Sequence, residues 1–193
     1  QANRLGQLRT GATTGITIKH LSKQDSSVLG IIGTGYQAAT QLEAACKVRN
    51  ITKIKAYSRN PENRASFAKE MEEQLGIAVV PSETNQEAVE GSDIIICIAA
   101  TMTPIVQREW LSPGSLIVAA GPTTWRAHEL DDATISEASR IVVDAIDQPI
   151  GESGDLSAAV DKGLIQWNQL VELRHVIDGS MTGRKDDDEI IVA

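Results

Sequence analysis

Apolar residues fall along this chain in short unbroken runs, set between longer stretches where they recur at helical spacing. Val28-Leu29-Gly30-Ile31-Ile32 and Asp93-Ile94-Ile95-Ile96-Cys97-Ile98 are apolar at consecutive positions, the pattern of strands covered on both faces. Lys53-Ile54-Lys55-Ala56-Tyr57 alternates and predicts another strand. Shorter runs at 77–80, 116–120 and 140–144 complete the set. Between them, helical spacing runs from Gln37 to about Val48, from Pro61 to about Leu75, and over 85–90. Asn60 is placed to cap the second helix, Pro61 suits its first position, and Gly76 suits its end. Strands alternating with helices in this way predict an α/β fold with a doubly wound, mainly parallel sheet in three layers. Helical spacing returns between Asp155 and Gly179, and Ile190-Ile191-Val192-Ala193 again has the pattern of a strand.

Composition narrows the function classes. With 193 residues, 41% hydrophobic and 23% charged, the chain has room for one good-sized globular core and a small appendage. A net charge of −8 opposes binding to a phosphate backbone, so no nucleic-acid partner is expected. No apolar run reaches the ~20 residues of a membrane helix, and no signal-peptide pattern opens the chain, so no membrane partner is expected either. Cys46 and Cys97 lie in apolar surroundings and read as reduced, buried thiols, which suits a cytoplasmic protein. The chain opens on Gln1 and stops in an apolar run, from which a segment of a longer protein is expected.

The densest signal is Gly33-Thr34-Gly35-Tyr36-Gln37-Ala38, which follows a strand and opens a helix. Gly33 suits the tight turn, Gly35 lets the backbone approach a pyrophosphate, and Ala38 keeps helix and strand close. The free N–H groups of the helix start would face the phosphates. This combination predicts a Rossmann-type dinucleotide site; a plain tight turn before a helix is the alternative. At the end of the second strand, where NAD-binding versions carry an acid, the chain has Ser58-Arg59-Asn60. No carboxylate there repels a 2′-phosphate and Arg59 can pair with one, so NADP is the expected cofactor and NAD remains open. Arg59 could equally be a solvated surface residue. Ala100 and Thr101, after the fourth strand, leave room for the adenosine side, and Gly121, after the fifth, lies where the nicotinamide end is expected. Either place could be an ordinary strand-to-loop turn.

These motifs together resemble the ornithine cyclodeaminase/mu-crystallin family. The resemblance is carried by Arg4-Leu5-Gly6-Gln7-Leu8-Arg9-Thr10-Gly11-Ala12, by the glycine loop, by Trp110-Leu111-Ser112-Pro113-Gly114-Ser115, by Gly151-Glu152-Ser153-Gly154-Asp155-Leu156, and by the stretch from Gly183 to Ile190. It implies a two-domain, dimeric enzyme acting on a small imino or amino acid, with the substrate and dimer domain mostly outside this chain. On that reading, residues 1–22 are a connector helix, 23–150 the NAD(P)-binding domain, and 151–193 a segment returning toward the other domain. The resemblance also implies that Arg9 binds the substrate carboxylate and that Thr10 lies by the cofactor phosphates. Thr123 stands where the cyclodeaminases carry an acid/base aspartate, and threonine has no useful pKa near neutrality. That departure points away from cyclodeamination and toward an NADPH-dependent imine or ketimine reductase, or an amino-acid dehydrogenase in reverse. A redox-neutral cyclodeaminase with bound NAD and a non-catalytic, crystallin-like binding protein are the alternatives. His128 reads as a polar residue near a helix start, Asp155 as structural, and no spacing of His, Cys and Asp suggests a metal site.

Overall fold

The computed structural model describes residues 2–121 and 124–193. Its centre is one all-parallel sheet of eight strands in the order β3-β2-β1-β4-β5-β8-β6-β7. The strands are β1 (Val28–Ile32), β2 (Lys53–Tyr57), β3 (Ala78–Pro81), β4 (Ile94–Cys97), β5 (Leu116–Ala119), β6 (Arg140–Val143), β7 (Val171–Glu172) and β8 (Ile191–Val192). The helices are α1 (Ala2–Leu21), α2 (Ala38–Val48), α3 (Pro61–Leu75), α4 (Asn85–Val89), α5 (Asp132–Ser136), α6 (Pro149–Glu152), α7 (Gly154–Asp161) and α8 (Leu173–Ile177).

The consecutive apolar residues of β4 show why the sheet is a middle layer. Ile94 and Ile96 join a core with Ile18 of α1, Leu42 of α2 and Met71 of α3. Ile95 and Cys97 point into a second core with Val89 of α4, Ile135 of α5 and Leu156 of α7. Two-residue alternation therefore divides one apolar run between two helical layers. Gly30 of β1 lies on the second face, where a Cβ would meet the Ala88 carbonyl oxygen at 2.1 Å, so its lack of a side chain lets α4 close on the sheet.

Local signals place the elements as expected. The Asn60 side chain accepts from the Asn63 N–H at 2.9 Å, and Gly76 ends α3 in the left-handed region at φ +67°. Two features depart from the pattern reading. The stretch expected to be helical between Asp155 and Gly179 contains β7, two residues long and too short to leave a period. The terminal apolar run forms a strand as expected, but this β8 inserts between β5 and β6 and separates strands that are neighbours in sequence.

Candidate functional site

At the carboxyl ends of the strands the chain after β1 turns sharply into α2. Gly33 makes that turn at φ +109°, and a Cβ on it would sit 2.6 Å from the Ile98 carbonyl oxygen. Its N–H donates to the Tyr57 carbonyl at 2.8 Å, tying the turn to the end of β2. Gly35 differs. It has no positive φ, it is exposed, and a Cβ there would meet no atom within 4 Å. Among the described residues, none lies close enough to require a glycine at 35. Ala38 is fully buried, and its N–H donates to the Gly35 carbonyl at 3.0 Å. Gln37 sits at the cap of α2 without a capping side-chain hydrogen bond, and Tyr36 is exposed beside it.

The end of β2 faces this turn. Thr34 Oγ1 donates to Ser58 Oγ at 2.8 Å, while Arg59 and Asn60 are exposed. Arg64, one helical turn further on, is occupied elsewhere: its guanidinium is buried, donates to the Ser58 carbonyl at 3.2 Å and pairs with Glu83 at 2.6 Å. After β4, Ala100 is exposed and Thr101 Oγ1 donates to the Thr103 carbonyl at 2.8 Å.

Helix α1 packs closely against α2 because two of its glycines allow it. A Cβ on Gly11 would meet the Thr40 carbonyl oxygen at 2.7 Å, and one on Gly15 the Ala44 Cβ at 3.1 Å. The four-residue spacing on both helices sets small residues against small residues, so α1 and α2 approach closely. Gln7 Nε2 donates to the Tyr36 carbonyl, and Thr40 Oγ1 donates to the Gln7 carbonyl at 3.2 Å. This docking carries Arg9 and Thr10 to the rim of a cavity of about 520 Å³, which Gly121, Glu129, Asp144 and Asp155 also line. Thr10 Oγ1 donates back to the Gly6 carbonyl at 3.0 Å. The structure thus brings Arg9, Thr10 and Gly121 to one cavity, and Gly33 to Ala38 together with Ser58 to the neighbouring turn. Thr123 lies outside the described residues.

Sequence reading passed over Glu129, which is 4% exposed. Its Oε1 accepts from the Ala99 N–H and its Oε2 from the Gly121 N–H, both at 3.0 Å. Its carboxyl is raised to about 7: burial pushes it up most, the two N–H groups pull it down, and Asp155 adds to the rise. Asp155 accepts from the Glu129 N–H at 3.1 Å and stands 3.4 Å from His128 Nδ1; burial raises its carboxyl as well. The one clue in the sequence is an acid among Ala127 and Leu130, and so near the Asp131 cap of α5 it reads as an ordinary helix approach.

An open parallel sheet whose first strand leads through a glycine turn into a helix, with a cleft along the carboxyl edge, defines a Rossmann-type α/β protein. The chain belongs to the ornithine cyclodeaminase/mu-crystallin family, whose model matches residues 1–193. It is 35% identical over 189 residues to a Delta(1)-pyrroline-2-carboxylate reductase of Bacillus cereus, covering 97% of this chain and 58% of that protein. Among solved structures it is similar to the Thermococcus litoralis Delta(1)-pyrroline-2-carboxylate reductase in complex with NADH and L-proline, with a TM-score of 0.94, 38% identity, and coverage of 97% of this chain and 58% of that one. It is also similar to an archaeal alanine dehydrogenase dimer with bound NAD, at a TM-score of 0.90, 34% identity, and 96% and 57% coverage. The chain therefore spans a little over half the length of these relatives.

Proposed function

We propose that this chain is the NAD(P)-binding portion of an oxidoreductase that reduces an imine or ketimine bearing a carboxylate, or oxidises the corresponding amino acid. The observation that carries the reading is the contrast inside the glycine turn: Gly33 is required by the fold, whereas a Cβ at Gly35 would meet no atom of the described residues within 4 Å. That open backbone, beside the start of α2, fits a pyrophosphate. Ser58, Arg59 and Asn60 would hold the adenosine ribose, Ala100 and Thr101 the opposite wall, and Gly121 the nicotinamide end. A bound nicotinamide supplies hydride to the C=N carbon.

Arg9 would hold the substrate carboxylate in a two-point hydrogen bond and so orient that carbon, and Thr10 would donate to the cofactor phosphates. The relatives' names motivate the substrate class, a small cyclic imino acid or its amino-acid product. Thr123 offers no acid/base group, which favours reduction over cyclodeamination. Residues 23–150 are assigned to cofactor binding, and 1–22 and 151–193 to the connection with the part of the enzyme that selects the substrate side chain and pairs two copies.

At the end of β2 the chain presents Ser58-Arg59-Asn60 and no carboxylate, which supports NADP over NAD. Calorimetric titration with NADPH and NADH at equal ionic strength tests this. Binding of NADPH about tenfold tighter, with the preference lost in Arg59→Ala, is the expected result for a charge-assisted pair to the 2′-phosphate. Tighter NADH binding, or an equal loss for both cofactors in Arg59→Ala, overturns the NADP assignment. Binding of neither by the wild type overturns the dinucleotide reading.

A further inference from the structure

The carboxylate of Glu129 sits between the chains that leave β4 and β5. β4 and β5 stay paired as far as Ala120, whose N–H donates to the Cys97 carbonyl at 2.8 Å. Beyond that point Glu129 takes over the ladder. One of its oxygens accepts from Ala99 on the β4 side and the other from Gly121 on the β5 side. The two main chains are thus held apart by the width of a carboxylate.

Gly121 has a matching reason to be glycine. A Cβ there would lie 2.4 Å from the Glu129 carboxyl carbon and Oε1, so the missing side chain makes room for this carboxylate. Asp155 fixes the other end by accepting the N–H groups of Glu129 and Leu130. Burying a carboxylate is costly, and a shape-matched apolar side chain would fill the space without that cost.

We propose that Glu129 is a positioning residue: it sets the spacing of the β4 and β5 walls at the nicotinamide end of the cleft, while the adenosine end is held by the glycine turn. This rests on the dinucleotide reading above. Its chemistry adds a pH dependence. The charged carboxylate accepts from both N–H groups, whereas a protonated one turns one oxygen into a hydroxyl, a poorer acceptor, and loosens one wall. The titratable groups facing it are Asp155 on α7 and Cys97 on β4, and His128 in turn stands against Asp155.

The test compares NADH with ADP-ribose, which lacks the nicotinamide, by calorimetry on the wild-type chain and Glu129→Gln between pH 6 and 8.5. Glutamine keeps the shape but can accept at only one of the two N–H groups. The expected result is a loss of about tenfold for NADH, the size of one mispaired buried hydrogen bond, and about twofold or less for ADP-ribose. The wild type should bind NADH more tightly as pH rises through about 7, and the variant should lose that dependence. The Ala99 and Gly121 amide resonances should follow the same titration in the wild type alone. Unchanged NADH affinity in the variant, or equal loss for both ligands, overturns the positioning role and leaves the dinucleotide reading intact. Wild type that binds neither ligand overturns both. If Glu129→Gln does not fold, Gly121→Ala decides, since it displaces the same carboxylate from the opposite strand and should give the same split between ligands.

Discussion

The two halves of the carboxyl edge are built by opposite means. On the β1–β2 side, six consecutive residues from Gly33 to Ala38 make the turn, expose a backbone stretch and seat the helix. On the β4–β5 side the wall is held by a carboxylate that reaches N–H groups 30 and 8 residues earlier in the chain. The glycines follow the same division. Gly33 answers to backbone geometry and Gly121 to the side chain of Glu129, while no described protein atom calls for a glycine at 35. Glycines along one edge of the sheet therefore differ in physical cause, and a variant at each should fail differently.

The largest effect is expected at Gly33. Alanine there must adopt φ +109° and also meets the Ile98 carbonyl oxygen at 2.6 Å, a backbone atom with little freedom to move. Gly33→Ala should lose roughly 4 kcal/mol or more of unfolding free energy, read by denaturant titration. Near-wild-type stability would remove the distinction between the two glycines of the turn. Gly35→Val should do the reverse. Its backbone and surroundings accept a side chain, so thermal stability should stay within a few degrees while dinucleotide binding disappears from calorimetry. Retained binding would show that the open backbone at 35 is not the pyrophosphate seat.

A smaller effect sharpens the other side of the comparison. The Glu129 carboxyl is raised to about 7 in the fold, so the native state holds its proton more tightly than the unfolded chain does. The stability it contributes is present in full below about 4.5 and is lost as pH rises through about 7. Between pH 5 and 8 the wild type should lose on the order of 3 kcal/mol relative to Glu129→Gln, measured by denaturant unfolding at each pH. NADH affinity is expected to move the opposite way over the same range. Opposite signs for stability and binding would identify a group held under strain for positioning; a common sign would make it an ordinary structural acid.

The periodic elements were legible because their causes are local. Two-residue alternation, the Asn60 cap, the Gly76 stop and the Gly33 turn each depend on neighbours within a few residues, and the structure places them within a residue or two of expectation. Membership of the family could be recognised from the same short motifs, since the glycine turn and the Arg9-Thr10 run are contiguous in the chain. What the pattern could not contain was order across the sheet. β8 lies between β5 and β6, and β7 is two residues of strand in a stretch with helical spacing, because strand order depends on which edges and faces remain to be covered, not on period. The close approach of α1 to α2 through Gly11 and Gly15 likewise needs both helices in place before either glycine has a reason. Glu129 is the extreme case. Its residue type says only that it is acidic; its burial, its raised carboxyl and its two N–H partners arise when β4, β5 and α7 converge around it. Sequence alone thus determined the elements and the glycine-turn half of the cleft, where each contact is short in chain distance. Tertiary structure decided the other half, where desolvation and hydrogen bonding come from segments that meet only in the folded protein.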